Sequence, residues 1–195
     1  MINWNTNQFN ILLDYYNSTN SYYLRNYFSG IGYENGYWYF SFYNITDCLD
    51  FIYGESLDTV DWKQVQISSD LVYDKNADRY SYYGWDGSLF YKNRKWYTYV
   101  ALQGRSNEDT SCIAEISCEN IDFTTATWQV FSTYFSSSYK PYGSRALNIE
   151  MATFLLNEKI VVVCMGGSGV RLFCCVGEVG TTANNYSQVW ATRNI

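Results

Sequence analysis

Short apolar runs separated by polar turns fill this chain, and no stretch has the spacing of a long helix. The runs are rich in aromatic and β-branched residues, a composition that favours strands covered on both faces. Three of them are Trp38–Tyr43, Trp96–Ala101 and Ile160–Met165. Three more follow at Leu49–Gly54, Ser111–Ile116 and Val170–Cys175. The pattern predicts an all-β protein.

A polar turn before each of the first three runs marks an internal repeat. Its asparagines are Asn35, Asn93 and Asn157. Tryptophans form a second marker, which recurs about every 60 residues at Trp4, Trp62, Trp128 and Trp190. Each marker asparagine lies about 30 residues after one of these tryptophans. Asn-Gly at 35–36 is typical of a two-residue hairpin turn, because both central residues of that turn need a positive φ. The two markers predict three diverged copies, at residues 4–61, 62–127 and 128–190.

The repeat predicts a single domain over residues 1–195 with a propeller-like fold. Each copy would form one four-stranded blade of about 60 residues. A β-sandwich of the jelly-roll type is the alternative, because it also consists of many short strands joined by polar turns. Closed propellers have about four to eight blades. Three blades would therefore need a second copy of the chain, or extra strands from Trp4–Tyr16, to close the ring.

The turn before Trp62 carries a short motif. It reads Ser56-Leu57-Asp58-Thr59-Val60-Asp61-Trp62. This pattern resembles the Asp-box of sialidase-type (BNR-like) propellers and of repeats in phage tail and bacterial surface proteins. The resemblance implies blades whose turn Ser and Asp bond the local backbone while the Trp packs between sheets. The second copy has Glu119 in place of the Asp, and the third lacks the box.

Composition narrows the classes of function. Aromatic residues make up 20% of the chain and offer stacking area for a ligand. The 13 Lys and Arg against 19 Asp and Glu give a net charge of −6 without a basic run. A nucleic-acid polymer is therefore not an expected partner. Because the chain has no histidine, it lacks the commonest general base and metal ligand. We expect neither a metal nor another cofactor.

The cysteines and the N-terminus bear on where the protein works. The six cysteines show no metal-finger spacing, and several lie inside strand-like runs, which favours buried thiols over disulfides. Residues 1–7 lack the basic start and apolar core of a signal peptide. No apolar run reaches the roughly 20 residues of a membrane span. We expect a protein made in the cytoplasm and not inserted in a membrane, with association with a virion left open.

Three loops before the marker asparagines combine aromatic and polar residues, at 21–27, 81–87 and 139–145. In propellers that this chain resembles, ligands bind near the axis, where the innermost strands begin. Aromatic faces stack on sugar rings, while Arg and Asp bond hydroxyl or carboxylate groups. The candidate ligand-binding residues are Tyr23, Arg25, Tyr83, Trp85, Asp86, Tyr142 and Arg145.

These features predict a non-catalytic module that recognises carbohydrate or another small polar ligand. A phage or prophage structural protein that recognises a receptor, as a homo-oligomer or within a larger assembly, is the favoured setting. A glycosidase of the sialidase or another propeller type is one alternative, since it needs two facing carboxyl groups. Asp14, Asp86 and Glu150 are candidates, but no spacing singles out a pair. A viral protein that binds a nucleotide or another small molecule is the other alternative, because stacking serves both ligand classes.

Overall fold

The computed structural model describes residues 26–44, 48–58, 61–72, 80–104, 112–133, 150–166 and 171–181. Within these ranges the chain forms three antiparallel sheets and one short 3-10 turn at Ser69–Val72. None of the helical structure in these ranges is long and apolar enough to cross a membrane. The predicted all-β class is confirmed.

Sheet 1 is a four-stranded meander in the order β1-β2-β3-β4. Its strands are β1 (Asn26–Glu34), β2 (Tyr37–Asn44), β3 (Cys48–Gly54) and β4 (Lys63–Ser68). Adjacent strands in the chain are adjacent in the sheet, as short polar turns require. This sheet has the four strands predicted for one repeat.

Sheet 2 differs in its first strand, which is split in two. Its strands are β5 (Tyr80–Gly84), β6 (Phe90–Lys92), β7 (Lys95–Gly104), β8 (Cys112–Cys118) and β9 (Thr127–Thr133). Both β5 and β6 pair with β7, which is followed by β8 and β9. The five residues 85–89 between β5 and β6 leave the ladder. They form the candidate site described below.

Sheet 3 contains three strands among the described residues, in the order β10-β11-β12. They are β10 (Glu150–Leu156), β11 (Lys159–Gly166) and β12 (Arg171–Glu178). Three separate meandering sheets do not match a two-sheet sandwich, so the jelly-roll alternative is not observed in the ranges given above.

The three marker asparagines adopt one conformation. Asn35, Asn93 and Asn157 have φ values of 46°, 51° and 49°. Each is followed by a second residue with positive φ, namely Gly36, Arg94 or Glu158. Two such residues in succession form the hairpin turn whose twist matches that of the flanking strands. The second and third hairpins thus keep this geometry without the glycine of the first.

Sheet 2 lies between the other two sheets and is buried on both faces. One face packs on sheet 1 through a core that includes Trp96, Val100 and Phe51. The opposite face packs on sheet 3 through a core that includes Tyr99 and Val162. This position explains why consecutive residues of β7 and β8 are buried on both faces, with apolar side chains at most of these positions.

The predicted Asp-box turn is ordered locally. The Ser56 hydroxyl accepts a hydrogen bond from the Asp58 N–H at 3.1 Å. Trp62 packs edge-on against Phe40, with 5.2 Å between ring centroids. Both contacts stabilise the turn on sheet 1, where Trp62 packs with Phe40 and Ile52 and not in either core between two sheets. A Ser hydroxyl that closes a two-residue turn is common in loops, so the contacts do not identify a family.

Candidate functional site

The segment 85–89 (Trp85 to Leu89) connects β5 to β6 and is the point where the three sheets meet. Its side chains and carbonyl groups bond residues of β1, β2, β7 and β10. These contacts join residues up to 67 positions apart in the chain. The first strands of all three sheets therefore converge on this segment.

Sheet 1 holds the backbone of the segment. Ser29 Oγ donates to the Trp85 carbonyl at 2.5 Å, and Ser41 Oγ donates to the Gly87 carbonyl at 2.7 Å. The Leu89 N–H donates to the Tyr39 hydroxyl at 3.1 Å. Every bond is made by a side chain of sheet 1, which replaces the ladder bonds that residues 85–89 do not make.

Sheet 2 fixes Trp85 through Thr98. The Trp85 indole N–H donates to Thr98 Oγ1 at 2.7 Å, and that hydroxyl donates to the Ser88 carbonyl at 2.9 Å. Trp85 is only 5% exposed and lies in the core between sheets 1 and 2. Its position is that of a packing residue and does not support the predicted stacking on a ligand.

The Asp86 carboxylate accepts three hydrogen bonds. The Ser88 N–H reaches Oδ1 at 3.1 Å, and Ser88 Oγ reaches Oδ2 at 3.0 Å. The Thr153 N–H of β10 also donates to Oδ2. Asp86 thus links sheet 2 to the first strand of sheet 3. Burial raises its pKa, and the hydrogen bonds from Ser88 and Thr153 oppose that rise.

Thr153 contributes a second polar group beside Asp86. Its residue is 7% exposed, and its Oγ1 has no hydrogen-bond partner. The hydroxyl lies close enough to the carboxylate to affect its pKa, although without hydrogen-bond geometry. A buried polar atom left unpaired in this way marks a position that a bound water could satisfy.

The structure brings together only part of the predicted site. Trp85 and Asp86 are adjacent members of segment 85–89. Tyr83 lies in β5 and Glu150 begins β10, but the side chains of both lie outside the described part. Five further predicted residues lie wholly outside it, namely Asp14, Tyr23, Arg25, Tyr142 and Arg145. Their ligand-binding roles stay predictions.

Sequence reasoning missed the residues that hold the segment in place. Ser29, Ser41, Thr98 and Thr153 are small hydroxyl residues inside strands, where their spacing carries no sign of a shared partner. Thr98 and Ser41 are fully buried. A buried hydroxyl in a strand predicts some hydrogen bond, but not which distant residue makes it.

A fully buried carboxylate lies on the other side of sheet 2. Glu115 of β8 is 1% exposed. It accepts hydrogen bonds from Tyr99 Oη at 2.6 Å, Gln129 Nε2 at 2.8 Å and the Gly180 N–H at 2.9 Å. Because protein groups occupy both of its oxygens, Glu115 serves to join sheet 2 to the end of β12.

Asp50 of β3 is another buried carboxyl group and gives a prediction about pH. It is 6% exposed, and its Oδ1 has no partner. Burial raises its pKa above 3.8, opposed by a hydrogen bond from Gln66. The protonated form is therefore favoured in the folded state, and the stability it gives is lost as the pH rises through the folded pKa.

We expect Asp50→Asn to increase the free energy of unfolding at pH 7 by about 1 kcal/mol, because it removes a charge that is poorly solvated when folded. Below about pH 4, near the ordinary pKa of an aspartate, the gain should vanish. Urea titrations of both proteins at the two pH values measure the difference, with the exposed Glu119→Gln as the control. A gain of equal size at both pH values would contradict the argument.

The described ranges contain no group of three His, Cys, Asp or Glu side chains that could hold an ion. Segment 85–89 and its neighbours offer a carboxylate and hydroxyl groups, which recognise hydroxyl-bearing ligands.

Comparison with known proteins gives structural likeness only. No protein-family model and no curated protein matches the chain. Seven solved chains match it by structure. One is a bifunctional GH43-CE protein of Bacteroides eggerthii, with 16% identity and a TM-score of 0.46. Another is the GH32 β-fructofuranosidase of Bombyx mori, solved as a mutant in complex with sucrose, with 7% identity and a TM-score of 0.52.

The second likeness decides the fold class, since it covers 97% of this chain. GH32 enzymes are five-bladed β-propellers. The fold is propeller-like. This chain spans 19% of the first neighbour and 43% of the second. The convergence of first strands on segment 85–89 is the arrangement expected around a propeller axis. The number of blades and the repeat boundaries remain predictions.

Proposed function

We propose that this protein binds carbohydrate without cleaving it, at the axis-facing surface around segment 85–89. The observation that carries the proposal is the Asp86 carboxylate, held where the first strands of three sheets converge, with the unpaired Thr153 hydroxyl beside it. Asp86 fixes the segment, and its Oδ1, which among the described residues accepts only the Ser88 N–H, keeps a lone pair that a sugar hydroxyl can use. The Bombyx mori neighbour, which has the same fold class, was solved with sucrose.

The geometry of Asp86 favours a positioning role over acid–base chemistry. A catalytic carboxyl must keep an oxygen free for the glycosidic bond or for water, and it must face a second carboxyl roughly 5 to 10 Å away. Both oxygens of Asp86 already accept bonds from Ser88 and Thr153. The carboxylate therefore orders segment 85–89, and the predicted loops around Arg25 and Arg145 supply further contacts to the sugar.

A glycosidase is the second candidate, and the raised pKa of Asp86 favours it. A general acid needs a carboxyl that remains protonated near the working pH, and burial moves Asp86 in that direction. Glu150 begins β10, the strand that also contains Thr153. This is the candidate partner that such an enzyme would require.

Recognition of a receptor glycan by a phage or prophage structural protein is the biological setting that we propose for this binding. The motif at Ser56–Trp62, which resembles repeats of phage tail proteins, supports it. Assembly into an oligomer or a larger particle would multiply weak sugar contacts into useful avidity.

A glycan array followed by calorimetric titration with the saccharides that bind tests the proposal. We expect saturable binding that Arg25→Ala and Arg145→Ala each weaken by about tenfold or more, since each removes a bidentate donor. Glu119→Lys, an exposed change in the β8–β9 turn, should leave affinity unchanged. Stabilisation by nucleotides in a thermal-shift panel, without sugar binding, would point to the nucleotide-binding alternative.

Assaying the same protein preparation with a panel of chromogenic glycosides distinguishes a binding protein from an enzyme. We expect no turnover. Turnover that Asp86→Asn or Glu150→Gln abolishes, while a thermal melt shows the variant folded, would replace the binding proposal with the glycosidase.

A further inference from the structure

The three hairpins align the sheets residue by residue. Counting from the turn asparagine of each sheet, the residues four before it are Ile31, Leu89 and Thr153, and those two before it are Tyr33, Tyr91 and Leu155. We call the face of each sheet that carries these residues its front face. The back face carries the residues three and one before the asparagine. These are Gly32 and Glu34, Phe90 and Lys92, and Phe154 and Leu156.

Each internal junction joins a back face to a front face. At the first junction Tyr39, on the back of sheet 1, accepts a hydrogen bond from the N–H of Leu89 in sheet 2. At the second, Lys92 on the back of sheet 2 forms an ion pair with Glu158 in the turn of sheet 3, at 2.7 Å. The same pairing rule therefore applies twice within one chain.

Two faces have no neighbouring described sheet, namely the front of sheet 1 and the back of sheet 3. Both expose large apolar side chains at their hairpin ends, while residues further along the same faces, Phe40 and Ile52 in sheet 1 and Val161 in sheet 3, are buried. On the front of sheet 1, Ile31 and Tyr33 are 49% and 56% exposed. On the back of sheet 3, Phe154 and Leu156 are 43% and 56% exposed. Leu155, the remaining exposed large apolar residue in the described part, lies on the front of sheet 3.

Two of the equivalent positions are buried in the internal junctions, whereas Leu155, the counterpart of Tyr33, is 42% exposed. Leu89, the counterpart of Ile31, is 2% exposed, and Phe90, the counterpart of Phe154, is 8% exposed. The hairpin ends of the two faces therefore carry apolar side chains at positions whose counterparts Leu89 and Phe90 are buried in a junction. Exposed apolar residues arranged in this way mark an interaction surface.

We propose that the front face of sheet 1 in one copy packs on the back face of sheet 3 in a second copy, and the reverse, so that two chains close one ring of six sheets. A second copy is the occupant that the repeat specifies, because its sheets present the matching face. Six sheets fall within the range of about four to eight that closed propellers use. A two-fold dimer would form this contact twice and leave neither face open.

The residue directly before each turn asparagine supports the match. Burial raises the pKa of Glu34 and the nearby Tyr91 backbone opposes that rise, while Lys92 pairs with Glu158, so at both internal junctions this position lies near the hairpin of the next sheet. In sheet 3 the position is Leu156. Its expected contact in the partner copy is with Tyr33 and Gly36 of the first hairpin, which are themselves uncharged. Apolar side chains on both sides suit such a junction.

Light scattering and native mass spectrometry test the dimer. The wild-type protein should have twice the 22.7 kDa mass of one chain over a wide range of concentration. Tyr33→Lys and Leu156→Glu should each shift it to the monomer mass, because each buries an unpaired charge at both junctions. Glu119→Lys, away from both faces, should remain dimeric. A wild-type monomer, or a trimer or open polymer, would overturn the proposal.

Mixing the two monomeric variants gives a sharper test. A dimer with one chain of each variant has one wild-type junction. At its other junction the lysine introduced by Tyr33→Lys meets the glutamate introduced by Leu156→Glu, so an equimolar mixture should recover this mixed dimer. The recovery also shows that both variants fold. If only one variant disrupts the dimer, or if the mixture stays monomeric, the front-to-back arrangement is wrong.

Discussion

Replacing Glu115 with alanine is expected to lower the free energy of unfolding by about 3–5 kcal/mol. The carboxylate is fully buried and accepts hydrogen bonds from Tyr99, Gln129 and Gly180. Its removal takes the acceptor from the Tyr99 hydroxyl and the Gly180 N–H, while Gln129 Nε2 keeps a bond to the Thr181 carbonyl at 3.3 Å. Each unsatisfied buried donor costs about 1–3 kcal/mol. For a domain whose total stability is about 5–15 kcal/mol, this is a large fraction.

The environment of Tyr99 strengthens this expectation. Burial raises the pKa of Tyr99, and the charge and hydrogen bond of Glu115 add to the rise. The phenol therefore stays protonated, and in the variant its O–H remains a buried donor that has lost its acceptor. The Gly180 N–H follows β12, and its bond to Glu115 holds the end of sheet 3 against sheet 2. The variant should loosen this junction first.

Urea denaturation followed by tryptophan fluorescence measures the loss. Glu115→Gln is the graded comparison, expected to cost about 1–2 kcal/mol because one amide N–H₂ replaces an acceptor. Glu119→Ala, an exposed glutamate in the turn after the same strand, should change stability by less than about 0.5 kcal/mol. Equal changes in the free energy of unfolding for Glu115→Ala and Glu119→Ala would show that the hydrogen bonds to Glu115 give no net stabilisation.

The strands and hairpins could be predicted from the sequence because their causes are local. Asn35 and Gly36 tolerate positive φ, and the runs that follow favour strands irrespective of the rest of the chain. The sequence also contains a sign of the Glu115 network. A glutamate between Ala114 and Ile116, inside an apolar run, must either face solvent or find buried partners. Its partners could not be identified, because Gln129 and Gly180 come from later elements.

The candidate site could be predicted only in part, for the same reason. The sequence predicts a loop of aromatic and polar residues at 81–87 with Asp86 as a potential ligand contact, but residues 81–84 belong to β5 and only 85–87 leave the strand. That Trp85 is buried, and that Thr153 donates to Asp86, depends on how three sheets pack. No local pattern encodes a contact between residues 67 positions apart. Fold class follows from local signals, whereas the geometry of a site where sheets meet does not.

Gly87→Ala is expected to be the most disruptive single-methyl change in the described part of the protein, at about 2–5 kcal/mol. Gly87 has a φ of 76°, and a Cβ there would lie 2.4 Å from the Ser41 Cβ. The left-handed conformation costs a residue with a side chain about 1–2 kcal/mol. Overpacking a core position adds about 1–3 kcal/mol. The Ser41 Cβ is not the flexible end of a long side chain and cannot move aside without its strand.

Substitutions at two other glycines measure the conformational cost and the steric cost separately. Gly36 has a φ of 87° with open space around it, so Gly36→Ala reports the conformational cost alone. At Gly30 a Cβ would lie 2.7 Å from the Asp86 carbonyl, so Gly30→Ala reports the steric cost at the same junction. We expect Gly87→Ala to exceed either control in urea denaturation and to weaken saccharide binding, because it displaces segment 85–89. A Gly87→Ala protein as stable as the Gly36→Ala protein would mean that Ser41 does not clamp the segment, and the role given to Asp86 as its fixed centre would then fail.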